Sequence, residues 1–363
     1  MSLNLTLTAD GSLDLSWQGL TRLPDLRPYA RSLRQLWLDG NHLTALPEWL
    51  GELTALEVLH VENNALTLLP DSLSALTNLK TLRLYGNRLT ALPAQLARLT
   101  QLTDLSVGHN RLTTVPPALW QLTQLKALNL AENQLTVVSE NLGALTQLAM
   151  LDLGHNQLAA LPLALGGLSN LTHALYVSDN RLDELPASLF EHMPKLRYLN
   201  ATDNQLTGLP DTIGKLSSLQ ELRLYNNALT ALPDSIGKLT NLRELHLMRN
   251  RLTQLPDAIG QLANLREMHL TDNPLTSLPD SVSKLRQLTR LDLRNNALQA
   301  LPDVIGSLGQ LTHLDLRANK LRELPASLQQ LPKLEKLDLR WLKLRDWPAG
   351  WGQLEARGCH VIC

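Results

Sequence analysis

One stretch decides the fold: residues 219–239 read LQELRLYNNALTALPDSIGKL. In it Leu222 and Leu224 alternate with polar residues before Asn227, which gives the pattern Leu-x-x-Leu-x-Leu-x-x-Asn-x-Leu. Alternation of apolar and polar residues predicts a short β-strand with one buried face. Leu-Pro and a more helical segment, residues 233–239, follow the pattern. The stretch therefore predicts one strand and one helical turn joined by a short loop.

The same pattern recurs along nearly the whole chain of 363 residues. Its asparagine occurs thirteen times, at intervals of 23 residues apart from two central intervals of 24. The positions are Asn41, Asn64, Asn87, Asn110, Asn133, Asn156, Asn180, Asn204, Asn227, Asn250, Asn273, Asn296 and Asn319. Extending the frame outward reaches Gln18 and Leu342, where the leucines continue without the asparagine, so we count about fifteen repeats. Such a period predicts a solenoid in which each repeat packs only on its neighbours.

Stacking these repeats predicts an α/β architecture with parallel strands about 4.8 Å apart. We expect a right-handed solenoid with a concave sheet on one side and short helices or 3₁₀ turns on the convex side. The asparagine column then satisfies buried backbone groups at the strand ends, because its amide both donates and accepts hydrogen bonds. Proline presets the backbone where each convex segment begins. Ser139 replaces this proline once, and we expect a looser turn there.

The two ends of the sequence predict caps over the open edges of the sheet. We divide a single domain, residues 1–363, into a cap at 1–17, repeats at 18–341 and a cap at 342–363. A hairpin is predicted at the start, because alternating leucines flank the favoured tight turn Asp10-Gly11: Leu3, Leu5, Leu7, Leu13 and Leu15. The second cap is predicted from Trp341, Trp347, Trp351, Leu344, Leu354, Val361 and Ile362. For Trp341 a ligand platform is the alternative interpretation.

The signature Leu-Pro-x-x-Ile/Leu-Gly-x-Leu resembles that of the Ras-group, plant intracellular and bacterial leucine-rich-repeat proteins. The resemblance covers nearly the whole chain and implies a non-catalytic scaffold for protein–protein interaction in signal transduction. A bacterial effector that engages a host protein is the alternative. Relatives that act as ubiquitin ligases or kinases carry separate catalytic domains. About eleven residues precede the repeats and about fifteen follow, so we expect no enzyme.

The two 24-residue repeats depart from the pattern. His173-Ala174 adds a residue before a strand, and residues 190–193 lengthen a convex segment. We expect a local change in curvature there.

Charge and cysteine content exclude several classes of protein. Lys and Arg total 33 against 34 Asp and Glu, so the chain as a whole does not attract nucleic acid or anionic membranes. Cys359 and Cys363 form no disulfide framework and fit a reducing compartment. The N-terminus lacks the features of a signal peptide, and no apolar run could span a membrane. We therefore expect a cytoplasmic monomer without cofactors, with export into a host cell as the alternative.

Function is expected on the strand positions that point away from the core, because packing leaves them able to vary. Tyrosine, tryptophan and arginine dominate protein interfaces. Two groups of such residues are predicted to bind a protein partner. The first group is Trp37, His60, Arg83 and Tyr85. The second group is Tyr176, Tyr198, Asn200, Arg223, Tyr225, Met248 and Arg249. Aromatic side chains that merely cover an open sheet are the alternative interpretation.

Two further features lie on the predicted concave face. Glu244 and His246 are followed one repeat later by Glu267 and His269, and each like pair is expected about 4.8 Å apart. Two histidines and a carboxylate suit zinc, but side chains on a flat sheet project in parallel, so we predict partner contact and no metal.

Beyond them lies a charged stripe: Asp292, Asp315, Asp338, Arg294, Arg317, Arg340, Arg290, His313 and Lys336. The arginines are expected first to stabilise the stacked carboxylates. The surplus positive charge, to which Arg294 and Arg317 belong, then favours a partner with an acidic patch. The sequence shows no glycine-rich phosphate loop and no nucleophile turn, so no catalytic site is predicted.

Overall fold

The computed structural model describes residues 5–345 and 352–363. They form two compact units, an N-terminal unit, Met1–Asn180, and a C-terminal unit, Arg181–Cys363. Each unit contains a parallel sheet whose strands follow one another in chain order. The prediction of a single domain stays a prediction.

Each strand is three residues long. In the N-terminal unit the strands are β1 Ser12–Asp14, β2 Gln35–Trp37, β3 Val58–His60, β4 Thr81–Arg83, β5 Asp104–Ser106, β6 Ala127–Asn129, β7 Met150–Asp152 and β8 Ala174–Tyr176. In the C-terminal unit they are β9 Tyr198–Asn200, β10 Glu221–Arg223, β11 Glu244–His246, β12 Glu267–His269, β13 Arg290–Asp292, β14 His313–Asp315, β15 Lys336–Asp338 and β16 His360–Ile362.

The leucine alternation determines the register of these strands. Leu222, the middle residue of β10, is fully buried, while Glu221 and Arg223 on either side are half-exposed. Leu222 pairs with Leu245 one repeat later, so equivalent residues form columns across the sheet. Buried leucine columns are the core of each unit, and the predicted leucine-rich-repeat solenoid with a parallel sheet is confirmed.

Short 3₁₀ helices connect the strands. The sequence predicted either short helices or 3₁₀ turns for these convex segments. In the N-terminal unit they are Arg27–Tyr29, Glu48–Glu52, Asp71–Ala75, Ala94–Arg98, Pro117–Gln121, Glu140–Ala144 and Leu163–Gly167. In the C-terminal unit they are Ala187–Phe190, Asp211–Lys215, Asp234–Lys238, Asp257–Gln261, Asp280–Lys284, Asp303–Ser307 and Ala326–Gln330. Residues 5–345 and 352–363 contain one α-helix, α1, which spans Gly352–Ala356. Among the described residues no helix has the length and apolar character needed to cross a bilayer.

The expectation of a looser turn at Ser139 is wrong. Ser139 adopts φ −67° and ψ 146°, close to the φ −71° and ψ 151° of Pro210 at the equivalent position. Its hydroxyl also accepts a hydrogen bond from the backbone N–H of Asn141 at 3.2 Å, as an N-cap serine does. Serine thus replaces the conformational restriction of proline with a capping hydrogen bond.

Gly260, the glycine of one Ile-Gly-x-Leu segment, lies where neighbouring 3₁₀ helices approach closely. A Cβ added at Gly260 would lie 2.3 Å from the carbonyl oxygen of Ser281 in the next repeat. At Gly309 an added Cβ would meet no atom within 4 Å. The difference predicts which glycines tolerate a side chain.

We expect Gly260→Ala to lower the free energy of unfolding by about 1–3 kcal/mol, the usual cost of forcing a methyl group into a packed contact. Gly309→Ala is the matched control and is expected to change stability by less than about 0.5 kcal/mol. Urea unfolding of the three proteins measures both effects. Equal stability of the two variants would show that the 3₁₀ helices can separate without cost.

The asparagine column forms the predicted hydrogen-bond ladder. The side-chain amide of Asn133 donates to the carbonyl oxygens of Val107, Leu130 and Ala131 at 3.0–3.1 Å. Its carbonyl oxygen accepts from the backbone N–H of Leu112 at 2.9 Å. Asn133 is buried, so these backbone groups have little access to water. The column is therefore structural, as the sequence analysis concluded.

The residue before each ladder position adopts a left-handed conformation, which the sequence analysis did not predict. These residues are Trp17, Gly40, Asn63, Gly86, His109, Glu132, His155, Asp179, Asp203, Asn226, Arg249, Asp272, Asn295, Ala318 and Trp341. Glycine, asparagine, aspartate and histidine enter this region most readily. Trp17 and Trp341 are the bulky exceptions, with φ of 59° and 63°.

The start of the chain differs from the predicted hairpin. A turn closes where Asp10-Gly11 predicted it, with the N–H of Thr8 donating to the carbonyl of Ser12. Residues 5–11, however, contain no strand, and β1 pairs in parallel with β2. The hydroxyl of Tyr29 instead donates to the carbonyl of Leu5 at 2.8 Å. Leu3, the first residue of the predicted arm, lies outside the described residues.

The C-terminal segment continues the sheet. After α1, the last strand β16 pairs in parallel with β15, and Leu354 and Cys359 are buried beneath it. Trp341 is 69% exposed, so its predicted packing in a cap is wrong. Trp347 and Trp351 lie outside the described residues.

Candidate functional site: the sheet face

The sheet face consists of the side chains at the two ends of each strand and at the residue two places after it. They point away from the leucine core and are mostly half-exposed. Because equivalent residues pair in register, side chains 23 or 24 positions apart become direct neighbours. The sheet face therefore brings together residues that are distant in the sequence.

The first predicted group lies together on the N-terminal unit. Trp37, His60 and Arg83 occupy paired positions on β2, β3 and β4. The rings of Trp37 and His60 meet edge to face with centroids 6.1 Å apart. Arg83 forms an ion pair of 3.0 Å with Asp104 on β5. The group is a continuous aromatic and cationic surface.

Tyr85 is the fourth member of this group. Its side chain lies over Gly108 and contacts His109 and Glu132, two residues that the sequence patterns did not predict. Its hydroxyl donates to the carboxylate of Glu132 at 2.6 Å, and its ring stacks on His109 with centroids 5.5 Å apart. His109 also contacts Glu132 at 2.7 Å through Nδ1. A Cβ on Gly108 would lie 3.0 Å from the Tyr85 ring, so glycine at this sheet-face position is the sequence signal for the contact.

The cluster of Tyr85, His109 and Glu132 is held electrostatically. The hydrogen bond to Glu132, aided by burial, raises the pKa of Tyr85 to about 12. The same bond lowers the pKa of Glu132 below its ordinary value. Tyr85 therefore stays protonated and presents the exposed side of its ring, while its hydroxyl is engaged by Glu132.

The second predicted group is divided between the two units. Tyr176 lies on β8 of the N-terminal unit, where it pairs with Asp152 of β7. Tyr198, Asn200, Arg223, Tyr225, Met248 and Arg249 lie on or just after β9, β10 and β11 of the C-terminal unit. All three tyrosines of the group are half-buried on the sheet face and outside the leucine core.

In the C-terminal unit an arginine and a tyrosine support each other. The guanidinium of Arg223 lies 5.5 Å from the ring centroid of Tyr198, a cation–π contact. Glu221, which pairs with Tyr198 across the sheet, accepts a hydrogen bond from Nε of Arg223. Burial is the largest effect and disfavours the charged form of Arg223, but the bond to Glu221 and the interactions with Tyr198, Glu221 and Tyr225 together outweigh it and raise the pKa of Arg223. These contacts hold the two large side chains together on the sheet face.

The other members of this group are placed differently. Asn200 uses its side-chain oxygen to accept the backbone N–H of Thr202 at 3.1 Å, so half of its amide is engaged locally. Arg249 occupies the left-handed turn after β11, is exposed, and lies 3.7 Å from Asp272. Its guanidinium belongs to the rim of the sheet face.

His246 and His269 stack as parallel rings with centroids 4.8 Å apart, the spacing expected for neighbouring strands. Each Nε2 contacts a glutamate of its own strand, His246 with Glu244 at 3.2 Å and His269 with Glu267 at 3.0 Å. Burial, aided by His269 and by the charge of Arg223, lowers the pKa of His246 to about 4. His246 is therefore neutral at pH 7.

Parallel side chains on a flat sheet would not converge on a metal ion, but part of this cluster does converge. One ligand atom from each of Glu221, Glu244 and His246 lies within 4.8 Å of the others, so these groups converge and do not project in parallel. The guanidinium of Arg223, bonded to Glu221, opposes a divalent cation there. The geometry suits a polar partner contact better than a metal.

The charged stripe contains the predicted pairs of arginine and aspartate. Arg317 bonds Asp315 and lies 3.3 Å from Asp338, and Arg340 bonds Asp338 at 2.7 Å. Burial opposes the charge of Asp338, but the bonds from Arg340 and the charge of Arg317 outweigh it and lower its pKa. These pairs agree with a stabilising role for the arginines.

The arginines of the stripe differ in what they offer a partner. The side chain of Arg317 is only 19% exposed, so its guanidinium is largely committed to the two carboxylates. Arg294 is half-exposed, and its backbone N–H donates to Asp292 at 3.1 Å. Arg290 and Lys336 are exposed on the stripe, and Arg290 also lies 4.0 Å from Glu267.

Comparisons with known families agree with this architecture. A family model described as leucine-rich repeat region matches residues 21–131 and 183–291. A second model, described as leucine rich repeat, matches residues 286–344. A comparison with curated proteins gives no match.

Solved structures give the same result. The leucine-rich-repeat protein LIC12759 of Leptospira interrogans is 33% identical with a TM-score of 0.88, over 98% of this chain and 96% of that one. The plant peptide hormone receptor RGFR1, solved in complex with RGF2, is 28% identical with a TM-score of 0.77, over 92% of this chain and 53% of the receptor. A chain of the Drosophila Toll–Spatzle complex is 26% identical with a TM-score of 0.80, over 92% of this chain and 48% of that one. On its repeat pattern, its geometry and these matches, the chain belongs to the leucine-rich-repeat family.

Proposed function

We propose that this protein is a non-catalytic scaffold that binds a protein or peptide partner on its sheet face. Proteins of this family are commonly binding modules, and two similar structures are complexes, RGFR1 with RGF2 and Toll with Spatzle. The single observation that carries the proposal is the cluster of large side chains on β9 and β10 that the leucine core does not use. Tyr198, Arg223 and Tyr225 are its principal members.

The geometry of this cluster favours tight binding. Arg223 is held by Glu221 and stacks on Tyr198, so little side-chain entropy is lost when a partner covers them. Tyrosine and arginine supply large contact areas with polar tips, which is why they dominate interface energies. An interface of ordinary size buries about 800 Å² on each side. The charged stripe with Arg290 and Lys336 favours a partner that carries acidic residues.

The double variant Tyr198→Ala with Tyr225→Ala tests the proposal. We expect it to weaken capture of the native partner about 100-fold, because each residue is placed as a hot spot. The melting temperature is expected to stay within about 3 °C, because neither ring lies in the leucine core. Partner capture from native lysate, quantified by dilution, and thermal unfolding measure the two properties.

A matched double variant on the 3₁₀ side, Thr240→Ala with Gln261→Ala, controls for nonspecific loss, because both residues are exposed there. It is expected to bind as the unaltered protein does. Equal losses of binding and of stability in the tyrosine variant would mean that the rings are structural, and the proposal would then be wrong.

Two alternatives are separated by simple measurements. Stoichiometric zinc in the purified protein, lost in His246→Asn, would favour a metal-binding function at the Glu221, Glu244 and His246 cluster. Concentration-dependent mass in light scattering would favour self-association over the monomer that we propose.

We also propose a cytoplasmic location, with export into a host cell as the alternative. The unpaired state of Cys359 and Cys363 supports a reducing compartment. Similarity to the Leptospira interrogans protein supports a bacterial origin.

A further inference from the structure

A basic pocket lies among the loops that follow the last strands of the C-terminal unit. It has a volume of about 500 Å³ and is lined by Gln299, Asn319, Lys320, Arg322, Trp341 and Lys343. This volume falls in the range of small-molecule sites. The side-chain amide of the ladder residue Asn319 is hydrogen-bonded to backbone groups of neighbouring repeats. Asn319 therefore lines the pocket without offering its amide to a ligand.

The cations of this pocket are not required by the repeat. The third residue after the ladder asparagine is threonine in nine repeats: Thr44, Thr67, Thr90, Thr113, Thr136, Thr207, Thr230, Thr253 and Thr276. At this position the repeats near the C-terminus carry Gln299 and Arg322. Lys320 occupies a position that is alanine in the preceding repeat, Ala297. Since the same backbone forms with threonine and alanine, the fold does not require Lys320 and Arg322, and Arg322 departs most clearly from the repeat.

The three cations of the pocket form no ion pair with the described part of the chain. Lys320, Arg322 and Lys343 are exposed, and the ion pairs found within residues 5–345 and 352–363 do not include them. The neighbouring Arg345, by contrast, lies 3.7 Å from Glu323. Among the described residues, those that line the pocket include no carboxylate. Three like charges around one concave surface favour an anion with several negative oxygens.

Trp341 adds an aromatic wall in an unusual conformation. It has φ of 63°, whereas the equivalent positions of the two preceding repeats hold Asn295 and Ala318. A bulky side chain in this region is strained, and strain of this kind concentrates at functional sites. The guanidinium of Arg340 lies 5.7 Å from the ring centroid, yet the residue is 69% exposed. Exposed indole surface beside three cations is suited to stacking on a planar ring.

We propose that this pocket binds a small ligand that combines phosphate groups with a planar ring, the chemistry of a nucleotide. Lys320, Arg322 and Lys343 bind the phosphates, and Trp341 stacks on the ring. The pocket volume of about 500 Å³ and the net charge of −1 of the chain favour a small ligand over a nucleic acid polymer. The site is separate from the tyrosine and arginine cluster of β9 and β10, so either proposal can fail alone.

Titration calorimetry at low ionic strength tests the proposal with two probes, ADP and inorganic pyrophosphate. We expect one ADP per chain, bound at least tenfold more tightly than pyrophosphate because only ADP can stack. The double variant Lys320→Ala with Arg322→Thr should weaken both probes at least tenfold. Trp341→Asn should weaken ADP about tenfold and leave pyrophosphate unchanged. Each substitution introduces a residue that another repeat already holds at that position, so folding is preserved.

Arg251→Ala is the matched control, because Arg251 is an exposed cation at the position of Lys320 in another repeat and does not line the pocket. It should bind ADP as the unaltered protein does. The proposal is wrong if ADP does not bind, if Arg251→Ala weakens ADP as much as the pocket variant, or if Trp341→Asn weakens both probes equally. Much tighter binding of a single-stranded oligonucleotide than of ADP would likewise overturn the small-ligand assignment.

Discussion

Replacing Asn133 with alanine is expected to lower the free energy of unfolding by about 2–4 kcal/mol. The substitution leaves the buried N–H of Leu112 without a partner and removes the amide of Asn133 from the carbonyls of Val107, Leu130 and Ala131. Each carbonyl keeps one other donor, namely Asn110, Asn156 or the N–H of His109, so the orphaned N–H, at about 1–3 kcal/mol, is the main cost and the lost amide bonds add to it. Denaturant unfolding measures the loss, and hydrogen exchange at the amide of Leu112 locates it.

Asn264→Ala is the matched control for this prediction. The amide of Asn264 donates one exposed hydrogen bond of 2.8 Å to the carbonyl of Thr240, where water can replace it. We expect a cost below about 1 kcal/mol and no change in exchange at Leu112. Similar costs for the two substitutions would mean that the ladder carries no special energetic role.

The sequence predicts the fold well because one periodic pattern determines strand, core and ladder together. Alternating leucines such as Leu222 and Leu224 can bury only one face of a strand, and a period of 23 residues, or 24 in two central repeats, brings equivalent residues into register. Asn133 shows the same logic, since an amide is the side chain that both donates and accepts. Strand pairing and the 3₁₀ connections follow from these positions.

Features that depend on neighbouring repeats were harder to predict. The left-handed column is occupied by residues as different as Gly40, Glu132 and Trp341, so no single residue type signals it. The Gly260 contact with Ser281 depends on the spacing of two 3₁₀ helices, which the composition of one repeat does not contain. Trp341 is an example. Its large apolar side chain predicted a packed cap, but its place in the left-handed column leaves the side chain exposed.

The candidate site, like the fold, could be predicted from the sequence only in part. The sheet face and its large residues follow from the repeat register, so Tyr198 and Arg223 could be placed together from the sequence. Which groups are already engaged could not be inferred, because this depends on side-chain geometry. Arg317 is committed to two aspartates, and the hydroxyl of Tyr85 is bound by a glutamate two repeats away. These contacts concentrate the binding proposal on Tyr198, Arg223 and Tyr225.

The stability of the chain is expected to fall by up to about 3 kcal/mol through His246 as the pH drops from 6.5 to 4. Burial, then His269 and Arg223, lowers the pKa of folded His246 to about 4, whereas an unfolded histidine has its ordinary value of 6.5. Between these values the unfolded chain binds more protons, so acidification favours unfolding. Above pH 6.5 both states are neutral at this residue and the contribution is complete. Urea unfolding at pH 7, 5.5 and 4.5 measures the slope.

The His246→Asn variant isolates this effect from the carboxylates that titrate in the same range. Glu221 and Glu244 contact His246 and favour its charged form, and Glu267 acts in the same direction. The pKa of His246 is nevertheless lowered, because burial, His269 and Arg223 together outweigh these carboxylates. Asn200 occupies the equivalent position two strands earlier, which shows that the repeat accepts asparagine. The difference in stability between the protein and the variant should shrink toward low pH. A difference that is independent of pH, together with an ordinary NMR titration of the His246 ring, would show that this histidine is solvated and that the buried stack with His269 does not form.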